Sequence, residues 1–133
     1  MPYSIEWVVE GRVLYNRLSD PYTDDEVVTS SEGAIQRLDS ASEPVFFIVN
    51  TLGLTSFPRN VVKATASVQK WLSHPHMRQL IVISNNSAVR FVSLLATQVQ
   101  RNKVILHGSV DDALAYIGRQ VPELAERMTP PVA

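Results

Sequence analysis

Short apolar runs alternate along this chain with longer segments in which apolar residues recur every three or four positions. Ile5 to Val9 and Arg12 to Leu18 are β-rich runs divided by Glu10-Gly11, which reads as a hairpin with glycine supplying the turn. Asp20-Pro21 ends it. Thr23 followed by Glu26 has capping-box spacing: the hydroxyl can accept from the first helical turn and the carboxylate can reach back. Val27, Val28, Ser31, Ala34, Ile35 and Leu38 then form one helical stripe ending near Asp39. Val45 to Val49 is apolar without alternation, the pattern of a strand covered on both faces.

The second half repeats the rhythm. Pro58 suits the first turn of a helix running to about Ser73, with Val61, Val62, Thr65, Val68 and Leu72 inward and Pro75 closing it. Leu80 to Ile83 is another buried strand, followed by a helix over Ser87 to Gln100 with Ala88, Phe91, Val92, Leu95 and Val99 as its stripe. Val104 to Leu106 is the last strand. Ser109 caps a final helix with acidic residues in its first turn, where the helix dipole favours them, and Ala113, Leu114, Ile117 and Val121 bury it. The order ββαβαβαβα predicts a single α/β domain over 1–127, a mixed sheet with an N-terminal hairpin and right-handed crossovers. Residues 128–133, with two prolines, read as a flexible tail.

Composition narrows the function. The 133 residues are 45% hydrophobic and 19% charged, ordinary for a folded domain, and 12 basic against 13 acidic residues leave a net charge of -1. No global field recruits nucleic acid or an anionic membrane. The absence of cysteine excludes disulfides, thiolate catalysis and thiolate metal sites. The N-terminus lacks the basic and apolar segments of a signal peptide, and no apolar run approaches the ~20 residues of a membrane span, so a cytoplasmic location is expected.

The element order, with its leading hairpin and the final helix Ser109-Val110-Asp111-Asp112-Ala113-Leu114-Ala115-Tyr116-Ile117 after a short strand, resembles the STAS domain. That is the family of bacterial anti-sigma-factor antagonists, including SpoIIAA-like proteins. The resemblance covers roughly Ile5 to Gln120 and is most specific from Ala88-Val89-Arg90-Phe91-Val92 through Ile117. It implies a regulatory module, not an enzyme, that binds a protein partner and needs no cofactor. Many members are switched by phosphorylation of a serine in an Asp-Ser-Ser-Gly-like loop after the third strand. The matching region here is Leu54-Thr55-Ser56-Phe57-Pro58-Arg59-Asn60, without an aspartate. Ser56, and next Thr55, stand nearest to the phosphoacceptor. SpoIIAA-like folds also resemble the lipid-binding CRAL-TRIO group, which gives an alternative: a small apolar ligand walled by Phe46, Phe47, Trp71 and Phe91.

Ligands in open α/β sheets favour the crevice beyond the carboxyl ends of the strands, where Thr51 to Arg59, Ser84 to Ser87 and His107 to Ser109 converge. Most of these residues suit caps and turns; Phe57, Pro58 and Arg59 are the candidate partner contacts, aromatics being enriched in interface hot spots. Trp71 is expected in the core, the other reading being an exposed flank shared with Phe57 and Val61. His74-Pro75-His76 lacks a carboxylate or thiolate beside it in the sequence and reads as a surface loop, not a zinc site. Asp24, Asp25 and Glu26 are explained by a helix's first turn. His107 as a base would need a nucleophile, for which Ser109 is the local option. The hairpin edge could pair two chains into a homodimer.

Overall fold

The computed structural model describes residues 3–20, 22–54, 61–84 and 104–129, with backbone alone for 61–65. The expected helix over Ser87 to Gln100 and the loop from Thr55 to Asn60 lie outside the described residues. The protein is a mixed α/β domain, and its described part holds five strands and four helices: β1 (Tyr3–Val9), β2 (Val13–Ser19), α1 (Asp24–Ser40), β3 (Val45–Gly53), α2 (Val61–Leu72), β4 (Met77–Ile83), β5 (Val104–His107), α3 (Val110–Gln120) and α4 (Pro122–Ala125). The sheet order is β1-β2-β3-β4-β5. β1 pairs antiparallel with β2, and every later neighbour pairs in parallel.

The hairpin turns through Gly11, whose φ of 75° is costly for a side chain with a Cβ, and the Arg12 amide donates to the Val9 carbonyl at 2.9 Å. Thr23 caps α1 by accepting from the Glu26 amide at 3.3 Å, and Ser109 caps α3 by accepting from the Asp112 amide at 3.1 Å.

Two cores flank the sheet. On one side Leu14, Leu18, Val45, Phe47, Val49, Leu80 and Val82 pack with Ala34 and Leu38 of α1 and Val68, Trp71 and Leu72 of α2. On the other, Val13, Tyr15, Phe46, Ile48, Ile81 and Ile83 pack with Ala113, Leu114 and Ile117 of α3 and Leu124 of α4. The inner side of α1 carries the small residues Ser30, Ser31 and Ala34, and the Trp71 indole donates to Ser31 Oγ at 3.2 Å, tying α2 to α1.

Three features differ from the sequence expectation. β4 begins at Met77 instead of Leu80, because a register shift gives Arg78 no partner: Val45 lies opposite Met77, but Phe46 lies opposite Gln79. β3 continues to Gly53 through a second shift, in which Arg17 to Ser19 spans Asn50 to Gly53. α4 was not anticipated; Pro122 opens it and its buried Leu124 completes the second core. Met128, placed in the expected tail, packs against that core as well.

Gly53 sits where a Cβ would meet the Leu18 carbonyl oxygen at 2.7 Å, a backbone atom that cannot yield alone. Gly53→Ala is therefore expected to destabilise the fold by about 1–3 kcal/mol in urea unfolding. Gly108→Ala, with no atom within 4 Å of the added carbon, should stay near wild type. Equal midpoints for the two variants would refute the close approach.

Candidate functional site at the carboxyl end of the sheet

The parallel strands β2 to β5 bring their carboxyl ends to one side, and among the described residues the end of β3 carries the most side-chain bonds. The extra residue of the bulge in β3 lies between Asn50 and Gly53. Bulges of this kind re-aim side chains at the margins of sheets. Asn50 holds the bulge from two directions: its Oδ1 accepts from the Leu52 amide at 3.0 Å, and its Nδ2 donates to the Tyr15 hydroxyl at 2.9 Å. The Thr51 hydroxyl donates to the Ile83 carbonyl at 2.7 Å, joining β3 to β4, and the Leu54 amide donates back to the Thr51 carbonyl at 3.0 Å. Leu54 returns to the first core. Leu52, between these anchors, is 46% exposed.

At the neighbouring strand ends fewer bonds occur among the described residues. The Ser84 amide donates to the His107 carbonyl at 3.2 Å. The His107 ring packs against Tyr116 with centroids 5.4 Å apart, and the Tyr116 hydroxyl donates to Gln79 at 2.8 Å. Ser109 Oγ is engaged as the cap of α3, and no hydrogen bond joins it to His107 among the described residues.

Thr55, Ser56, Phe57, Pro58 and Arg59 lie outside the described residues, as does Phe91. The remaining ring candidates are divided by the sheet. Phe47 and Trp71 touch in the first core, ring centroids 4.9 Å apart, and Trp71 is buried, as the core reading expects. Phe46 lies in the second core with the Arg78 guanidinium 4.9 Å from its ring centroid. Phe46 therefore shares no wall with the other two.

The opposite end of the sheet holds the histidine pair. Here the structure supplies the carboxylate that the local sequence lacks: Asp39, at the end of α1, lies 2.7 Å from His74 Nε2. His74 Nδ1 accepts from the His76 amide at 3.0 Å, so its ring proton sits on Nε2 and points to Asp39. His76 Nδ1 donates to the Leu38 carbonyl at 2.7 Å. The pair fastens the loop before β4 to the end of α1. No group of three metal-ligating side chains occurs among the described residues. Nearby, Arg12 reaches Glu43 at 3.1 Å and Glu123 at 3.5 Å.

Sequence reasoning overlooked Asn50 and Tyr15, and covered Leu52 only as part of the Thr51 to Arg59 loop. The available signal was a polar residue ending the apolar run at Asn50 and one leucine standing between polar and glycine neighbours. No helix among the described residues is long and apolar enough to cross a membrane. Comparison of the chain with protein-family models, with curated proteins and with solved structures finds no match.

Tyr22 lies beyond the end of β2 and its hydroxyl meets Ser30 Oγ at 2.6 Å. Ser30 Oγ gives its own proton to the Val27 carbonyl at 3.2 Å, so the phenol is the donor of that pair. Burial pushes the Tyr22 phenol up to about 12 from 10.0. The folded state thus binds this proton more tightly than the unfolded chain. Its contribution is complete below pH 10 and is lost as the pH rises towards about 12. Tyr22→Phe should flatten the fall in stability over that window, measured by urea unfolding; an unchanged slope would show that Tyr22 does not govern it.

Proposed function

We propose that this chain is a non-enzymatic regulatory module of the STAS, SpoIIAA-like type that binds another protein through the carboxyl end of its sheet around the end of β3. The observation that carries this reading is the locked bulge at Thr51-Leu52. One exposed leucine on a surface is unremarkable by itself. Leu52 differs because Asn50, Tyr15 and Thr51 hold its backbone, so little conformational freedom is lost when a partner covers it. The same bulge leads directly into Thr55 to Arg59, where Phe57, Pro58 and Arg59 supply further apolar and cationic contacts and Ser56, with Thr55 next, is the proposed phosphoacceptor.

The polar chemistry at this end also suits recognition. The groups bonded around Asn50 and Thr51 are amides, hydroxyls and a carbonyl, which define shape without formal charge. A leading antiparallel hairpin followed by strands in sequential parallel order is consistent with the family reading. A cytoplasmic location accords with that role.

Leu52→Asp should cut partner capture at least tenfold in cross-linking pull-downs from native lysate, with folding stability held within about 0.5 kcal/mol as for other exposed positions. Capture unchanged by both Leu52→Asp and Phe57→Ala would remove this surface from consideration. Ser56→Asp, mimicking the phosphorylated state, should shift the affinity for the captured partner measured by calorimetry. If neither Ser56→Asp nor Thr55→Asp alters it, the switch is absent.

A further inference from the structure

We infer that β1 pairs with β1 of a second copy, forming a two-fold dimer in which the sheets of the two chains become continuous. β1 is the terminal strand of the sheet, and no described strand pairs with its outer edge. From Tyr3 to Val9 it carries one charge, Glu6, and neither lysine nor proline, the residues that commonly keep edges apart.

The two sides of β1 select one register. Antiparallel pairing about a two-fold axis perpendicular to the sheet places residues of the same face opposite one another. Centred on Glu6, it would set two carboxylates directly across from each other, which is unfavourable. Centred on Ile5, it sets Ile5 against Ile5 of the partner subunit and Tyr3 against Trp7 of the partner subunit. Tyr3, Ile5 and Trp7 are only partly buried against α1 and the first core, so each has apolar surface left to cover.

The opposite side supplies charge complementarity. Ser4, Glu6 and Arg17 are exposed there, and the side chain of neither Glu6 nor Arg17 takes part in an ion pair or hydrogen bond among the described residues. Within one chain Ser4 lies opposite Arg17. In the Ile5-centred register Ser4 also lies opposite Glu6 of the partner subunit. Arg17 and that carboxylate then stand two strand spacings apart, roughly 10 Å between backbones, with only a serine between them. The guanidinium can cross above Ser4 to reach it, and the symmetry makes the contact twice.

Light scattering and sedimentation of the full chain at micromolar concentration and low salt should give twice the 14.8 kDa chain mass. Glu6→Arg should halve the observed mass, Arg17→Glu should do the same, and the combined Glu6→Arg, Arg17→Glu chain should regain the dimer. Circular dichroism of all three reports folding independently of mass. A monomeric wild-type chain overturns the inference. So does a dimer that no variant dissociates, or a pair of folded monomeric variants that the combined exchange does not rescue.

Discussion

Phe46 and Phe47 are neighbours in the chain and belong to different cores, and the remaining architecture is built around that separation. Every residue from Val45 to Val49 is buried, so β3 has no solvent side along this stretch. Burying each large apolar side chain contributes about 1.5–3 kcal/mol, and the gain exists only while both faces are covered. α1 and α2 cover one face, with Trp71 against Phe47. α3 and the short α4 cover the other, with Leu124 sealing it. The last described helices are thus as necessary to the central strand as the first.

The two ends of that strand are finished with different chemistry. At the amino end, Arg12 meets Glu43 and Glu123, and His74 and His76 fasten the approach to β4 onto Asp39 and Leu38. The carboxylates of the two Arg12 ion pairs are exposed, so each pair adds little stability alone, and Asp39, which accepts from the neutral His74 ring, is exposed as well. Their joint effect is positional, since they connect α1, α4 and the loops beneath the sheet. Around Asn50 and Thr51 at the carboxyl end of β3 the bonds join neutral groups: amide to phenol, hydroxyl to carbonyl, amide to carboxamide. Such bonds fix a backbone without surrounding it with charge. That contrast makes the carboxyl end the more suitable surface for an apolar contact.

Much of this was legible from residue order, because the relevant forces are local. Caps at Thr23 and Ser109 require a hydroxyl three residues before a free amide, and both appear in the structure. The unbroken run at Val45 reports burial on two faces directly. What escaped depends on pairing between distant strands. Arg78 interrupts the apolar pattern because it occupies a bulge, so the first residues of β4 resemble a loop. Asn50 to Gly53 resembles a loop for the same reason, and its function as a stitched strand end depends on Tyr15 and Ile83, which lie far away in sequence. Asp39 and His74 are 35 residues apart, too distant for local spacing to join them.

The outer edge of β1 and the carboxyl end of β3 lie at different margins of the same sheet, which bears on how a dimer would work. β1 is held by its ladder to β2, and α1 lies close over it: a Cβ at Gly33 would meet Ile5 Cδ1 at 3.2 Å. A two-fold axis through Ile5 runs perpendicular to the sheet and reverses strand direction between the copies. The β3 of one chain would then run opposite to the β3 of the other, and the two Leu52 surfaces would face opposite ends of the joined sheet. Neither would cover the other. A dimer of this geometry keeps both contact surfaces open and separates two bound partners by the full breadth of the assembly, favouring two independent binding events over one shared site.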